Sequence, residues 1–375
     1  MRRKILASFL IIFSIFLPTT GGLTANAQTL PVTVISDIFH REVNGKFTDD
    51  SLGKAISYFG DLYKQVSEAP KKTIWVIDPQ LIEEIIDMSD GYTVLPKVPG
   101  AFADSATNFL AFLRASIADN QVFALPYGSP DIRVRSKVSE VELSQIQNIS
   151  ALRLARALDI PVSAGLPEGL PAERSAVSVR AKNAFGALHK TLNKIGTITL
   201  DTEVAEVALR SNALLNPNLS AKQVQYLAIS LNGTVDRLEK KVKVLPGKYT
   251  LTSTNEKIPV TIVNEFAAPA DVVLILHAEN ARIVIDTAKK ITLAKNSRKQ
   301  VLIDAKAVAN GKVRVEARLE TIKGARYGES NSLQFTISRI GPVITWVMVG
   351  AGILLVGASG IRISRRLRGR KSKGR

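Results

Sequence analysis

The chain has 375 residues, no cysteine and three histidines, with 50 Lys+Arg against 33 Asp+Glu and a formal net charge of +17. Arg2, Arg3 and Lys4 open the chain, and eight basic residues crowd its last 14. Neither end carries an acid, so the body holds only +6. Composition therefore defines no basic nucleic-acid face, and the lack of Cys excludes disulfides, Cys-ligated zinc, iron–sulfur clusters and a cysteine lipid anchor.

After the opening charges, an apolar run from Ile5 to about Pro18 leads into small residues and an Ala25-Asn26-Ala27 site. That order predicts a signal peptide over 1–27, with an uncleaved N-terminal anchor as the alternative. From 28 to 244 the texture predicts an α/β domain. Strand-like runs at 33–39, 73–77 and 121–125, with weaker ones at 160–164 and 197–200, alternate with helical periodicity. Leu52, Ala55, Ile56, Phe59, Leu62, Tyr63 and Val66 recur at helical spacing, and Pro79 to Met88 follows a capping Asp78. Further helices are predicted at 140–157, 174–193, 202–214 and 220–241. About five strands are too few for an eight-stranded barrel, so the expected sheet is parallel, open or incomplete, and barrel-like.

From 245 to 338 the helical period stops. Seven short alternating runs, typified by Lys312 to Leu319, predict an all-β immunoglobulin-like sandwich, with Asn310-Gly311 as a turn. Residues 340–361 carry no charge, have Trp346 near one end and abut the basic tail 362–375. They predict one transmembrane helix. The chain would then be a single-pass type I protein of the plasma membrane, body outside, with its tail on anionic lipid headgroups in the cytoplasm.

The stretches TIWVIDPQLIEEI (73–85), VFALPYGSPD (122–131), LTSTNEKIPVTIVNEF (251–266) and AVANGKVRVEARLET (307–321), with the charge-free segment and basic tail, carry a resemblance. The chain resembles an actinobacterial family of secreted, single-pass membrane-anchored envelope proteins of unknown function. It departs at Ser129, where relatives tend to carry an acid. The resemblance implies an α/β domain, an Ig-like domain, an anchor and envelope work. It brings no activity.

Loops after parallel strands open onto one face. That rim would present Asp37, His40, Asp78, Tyr127, Asp131 and Asp201. Paired carboxylates are what glycoside hydrolysis needs, and Asp with His suits a deacetylase metal. Asp37, Asp78 and Asp131 are thus the catalytic candidates, and Tyr127, Asp78 and His40 the binding candidates, with Tyr127 as a flat face for stacking on sugar. Each has a structural reading beside it: Asp78 and Asp201 as helix caps, Asp131 in a turn, Asp37 partly buried, Tyr127 packed under its loop. There is no GxSxG, HExxH or P-loop. Two functions stay open. One is a non-catalytic binding or scaffold protein for cell-wall glycan or an envelope protein partner. The other is a glycan-modifying enzyme, glycoside hydrolase or deacetylase-like. No metal, cofactor or nucleic-acid partner is expected.

Overall fold

The computed structural model describes residues 30–170, 176–338 and 349–362. The expected signal peptide (1–27), the first part of the expected transmembrane helix (340–348) and nearly all of the basic tail lie outside them.

The first unit comprises β1 (Val32–Ile35), α1 (Ser51–Ile56), α2 (Asp61–Ser67), β2 (Ile74–Ile77), α3 (Pro79–Ser89), β3 (Thr93–Val94), β4 (Val98–Pro99), α4 (Ala103–Ile117), β5 (Val122–Ala124), α5 (Ile132–Val138) and α6 (Glu140–Leu158). Its sheet has three parallel strands in the order β1-β2-β5, with Val34 opposite Val76 and Val76 opposite Phe123. Trp75 and Ile77 of β2 join Ile82 and Ile85 of α3, Phe109 of α4 and Leu154 of α6 in one apolar core. A single helix through 52–66 does not form. Ser57 is extended, and a Cβ at Gly60 would collide with the Ala55 carbonyl, so the chain turns between α1 and α2.

The second unit adds α7 (Val179–Gly196), α8 (Thr202–Ser211), a 3-10 turn (Asn212–Leu215), α9 (Ala221–Glu239) and strands β6 (Val242–Val244), β7 (Gly247–Leu251), β8 (Asn255–Asn264), β9 (Ala270–Ala278), β10 (Ile283–Ile285), β11 (Ala288–Leu293), β12 (Ser297–Ala307), β13 (Gly311–Glu320) and β14 (Arg326–Ile337). The strands form two layers, β10-β12-β8-β6 and β11-β9-β13-β14-β7. All pair antiparallel except β7 with β14. This is a sandwich of immunoglobulin-like type. β12 shows why it forms: Val301, Ile303, Ala305 and Ala307 point inward between exposed neighbours, so one face of the strand must be covered.

One apolar cluster runs through Phe185, Leu188, Leu231 and Leu238 of the helices and Val260, Val272, Val315 and Phe335 of both sheets. The Tyr327 hydroxyl donates to the Leu238 carbonyl at 3.1 Å, and Gly328 (φ 62°) brings β14 against the Glu239 carbonyl. Helices α7 to α9 therefore pack on the sandwich, and no seam in the packing falls at 244/245.

The expected fold class is overturned in two respects. The five-stranded, barrel-like parallel sheet is not formed. Residues 160–164 make a single bridge, Ser163 to Phe123, because Pro161 lacks a donor and the run is short. Thr199 bridges instead to Ala270 of the sandwich, and Asp201 then starts α8. The transmembrane helix is the second correction. Among the described residues no helix is long and apolar enough to cross a membrane. The single-pass plasma-membrane placement is overturned with it.

Candidate functional site

The loop after β2 begins with Asp78, whose carboxylate is 1% exposed. Its Oδ1 accepts from the backbone N–H of Gln80 (2.9 Å) and of Gly128 (3.2 Å), and its Oδ2 accepts from the Ser129 hydroxyl (2.7 Å). Asp78 thus caps α3 and clamps the loop after β5. Burial pushes its pKa up to about 7, against the pull of those three donors. Gly128 (φ 80°) and Ser129 (φ 48°) both lie in the left-handed region, and a Cβ on Gly128 would sit 2.8 Å from the Ala213 N. Asp131 caps α5 through the Arg133 N–H (2.9 Å) and pairs with the Arg133 guanidinium (3.2 Å). Burial would raise its pKa, but the bonds from Arg133 outweigh this and hold it below the usual carboxylate value. Asp201 caps α8 in the same way.

Tyr127 is 0% exposed, so the stacking surface expected of it does not exist. Its hydroxyl donates to Glu83 (2.8 Å), its N–H donates to the Ser150 hydroxyl (2.9 Å), and the Arg153 guanidinium lies 5.0 Å from its ring centroid. Arg153 also pairs with Glu83 and Glu206, and Glu206 with Arg210. This chain of charges, invisible in sequence, joins α3, α6 and α8 under Tyr127.

The open surface lies elsewhere. A cleft of about 480 Å3 lies between the 36–51 segment and the start of α9. It is lined by Phe39, His40, Asp49, Ser51, Lys222 and Tyr226 among others. A shallower hollow of about 380 Å3 on the sandwich, around Asp286 and Asp304, has no aromatic wall. The capping box of Ser220 with Gln223 fixes where α9 starts, and hence where Lys222 and Tyr226 stand. The Tyr226 ring is 37% exposed and its hydroxyl donates to Glu42. Burial first, then Glu42, raises that phenol to about 12.

His40 forms the floor, 3% exposed. Its backbone N–H donates to Glu84 Oε2 (3.0 Å). Its Nδ1 is 3.2 Å from Ser51 Oγ, and its Nε2 is 3.2 Å from Asp37 Oδ2, an ion pair without hydrogen-bond alignment. Ser, His and Asp in this order are the parts of a nucleophilic triad, but the protons run the wrong way. Ser51 donates its own hydroxyl proton to Asp49 and also its N–H (2.9 Å). Ser51 Oγ must then accept from Nδ1–H, while Nε2 faces a carboxylate. An imidazolium satisfies both neighbours, and a His40 that donates from Nδ1 is not placed to take the Ser51 proton. Burial opposes that charge, but Asp37, Glu84 and Asp49 outweigh it and raise the pKa above the ordinary 6.5. Among the described residues, no group of His, Asp and Glu is arranged to hold a metal ion.

Of the residues singled out from sequence, His40 and Asp37 come together at the cleft. Asp78, Tyr127 and Asp131 are buried behind it. Ser51, Lys222, Tyr226 and Glu84 were missed. Glu84 had a legible signal: with Gln80 it sits in line with Leu81, Ile85 and Met88 on the buried side of α3, where a polar residue needs a partner.

The described chain therefore joins a small three-stranded parallel α/β unit to a helix-backed β-sandwich. A model described as "Family of unknown function (DUF6049)" matches residues 174–368, just over half the chain, and the protein belongs to that family. The match begins beside the start of α7 and includes the sandwich, in keeping with their shared core. No curated protein matches in sequence. Among solved structures the chain is similar to WR4, an MSP family member of C. elegans, at 7% identity, with 26% of this chain and 98% of that one covered and a TM-score of 0.21. It is also similar to the CARDB domain of PF1109 from Pyrococcus furiosus, at 8% identity with 27% and 93% covered and a TM-score of 0.22. A PapD-like domain of human CEP192 matches at 12%, with 27% and 87% covered and a TM-score of 0.20. Likenesses at these TM-scores carry no functional information.

Proposed function

We propose that this is a non-catalytic binding protein whose cleft at the end of β1 captures a neutral, hydroxyl-rich ligand, an envelope glycan in kind. One observation carries the reading. The carboxylates of the rim are consumed internally, Asp78 and Asp131 as buried caps and Asp37 against His40. Glycoside hydrolysis needs two carboxyl groups facing the scissile bond. A fully buried Asp78 reaches no substrate, so the glycan-modifying alternative loses its residues. The cleft offers instead an exposed tyrosine ring, apolar Ile38 and Leu95, and interleaved donors and acceptors from Thr48, Asp49, Ser51, Lys222 and Gln223. Its volume suits a small ligand or the end of a longer one.

The test is calorimetric titration of the full chain with chitotriose, cellotriose, maltotriose and mannotriose. At least one should bind, and Tyr226→Ala should weaken it by about tenfold or more. Binding unaffected by Tyr226→Ala, or release of new reducing ends from any of the four, would overturn the reading. Failure of all four to bind would shift it toward a protein partner.

A further inference from the structure

The floor of the cleft holds a titratable ring set beside a carboxylate. His40 is nearly sealed from water, with Nδ1 at Ser51 Oγ, whose proton goes to Asp49, and Nε2 at Asp37 Oδ2. We propose that His40 is a proton-operated latch: protonated, it ties the 36–50 segment to Ser51 at the start of α1, and deprotonated, it loosens that segment and lowers the cleft's hold on its ligand.

The groups around it give the latch its sense. On its own segment are Asp37 at Nε2 and Asp49, reached through Ser51, while Arg41 turns away to pair with Asp87 of α3. From α1 comes Ser51. From α3 comes Glu84, which accepts the His40 N–H and is held by the Gln80 amide (2.9 Å). Across the cleft, α9 presents Lys222. One carboxylate, Asp37, thus faces the imidazole directly, with Glu84 on its backbone N–H and Asp49 behind Ser51. A neutral imidazole has one N–H, so it keeps both contacts only if the Ser51 hydroxyl turns from Asp49 to donate to Nδ1. Losing the proton also leaves Asp37 without the charge that it faces, and leaves the buried Glu84 with Arg41 alone of its two compensating cations. The segment contains Phe39 and Asp49 and abuts Ser51, all of which line the cleft, so loosening it alters the cleft directly.

The sign follows from linkage. A histidine whose folded value is raised contributes stability that is present below the ordinary 6.5 and is lost as pH rises through the higher folded value. The window therefore opens above about 6.5 and not below it.

The inference deepens the cleft reading by naming how that site is regulated, and its main test uses no ligand. Full chain labelled at histidine Cε1 shows three signals, with His40 assigned by its loss in His40→Asn. Its midpoint should exceed about 6.5. Deuterium exchange of peptides covering 36–51, corrected for intrinsic rates, should quicken about threefold or more across that midpoint. Asp37→Asn should move the midpoint down, and His40→Asn should abolish the step. A midpoint at or below the ordinary value, exchange that ignores pH, or a step that survives His40→Asn would overturn the latch. Should His40→Asn fail to fold, an unmoved midpoint in Asp37→Asn overturns it alone. Chitotriose held equally on both sides of the midpoint, while the segment loosens, would overturn the claim on affinity. Absence of binding by chitotriose, cellotriose, maltotriose and mannotriose alike at every pH would sink the glycan reading, with the latch still decided by exchange.

Discussion

Tyr127 offers the sharpest test of where the site is. If it were a surface platform, Tyr127→Ala would leave the fold untouched. The structure requires the opposite. The ring is fully buried, packs with Ile146 and Leu209, and lies beside the Arg153 guanidinium. Truncating a buried aromatic ring to Ala costs about 3–5 kcal/mol. At about 2–4 °C per kcal/mol for a unit of this size, the thermal midpoint should fall by roughly 6–20 °C. Tyr127→Phe keeps the ring and removes only the hydroxyl bond to Glu83. A bond to a charged group is worth about 1.5–3 kcal/mol, and because Glu83 keeps Arg153 at 3.4 Å, the low end applies. The hydroxyl also resists ionisation, first through burial and then through the Glu83 charge. Ultraviolet titration should therefore show Tyr127 among the tyrosines that stay neutral until alkaline unfolding, with Tyr92 and Tyr327, which burial also pushes up, and Tyr127→Phe should remove one of that group. Scanning calorimetry of both variants decides the matter. A midpoint for Tyr127→Ala within about 2 °C of the parent, or Tyr127→Phe costing as much as Tyr127→Ala, would refute this account of the network.

Asp78 makes a prediction in pH. A buried carboxyl raised to about 7 is penalised when charged, so its ionisation removes stability as pH climbs from about 4 to about 7. Asp78→Asn can keep acceptor and donor roles without charge, so denaturant midpoints should favour it over the parent progressively across that window. A parent–variant difference flat in pH would contradict this. Gly128→Ala should cost about 1–3 kcal/mol, since it adds a Cβ 2.8 Å from the Ala213 N at φ 80°, and a neutral result in urea melts would disprove that contact. Limited proteolysis with subtilisin should cut within the exposed 161–170 connector before 245–248, because β6 is already laddered to β8 across the latter's approach. Early cleavage at 245–248 would show that the helices and the sandwich separate.

The local signals were legible and the distant ones were not. Asp78-Pro79 announces a capped helix in any context, and the alternation in Lys312 to Leu319 finds its strand and its inward face. Periodicity also placed α7 to α9, but an apolar stripe does not say what covers it. Those helices, read as part of an α/β domain, pack on the sandwich instead. Tyr127 after Pro126 reads the same whether it faces water or Glu83, since the partners that decide it come from α3 and α6. Tyr226 was missed for the converse reason. On a helix it resembles any solvated residue, and only the fold brings it opposite His40. The sheet was overcounted because 160–164 and 197–200 have strand composition but no neighbour long enough to pair with.

Phe39 belongs by sequence to the first unit and by packing to the second, where it lies among the core residues shared with α9 and the sandwich. It is a plug in a neighbour's socket. A second unit expressed from residue 176 onward would carry that socket open, short of one large aromatic side chain. Its melting point would report the missing plug. In the intact chain the same arrangement makes the cleft segment a mechanical lead. Whatever pulls on 36–51 at the cleft also draws on Phe39, whose side chain belongs to the apolar cluster that α9 shares with the sandwich.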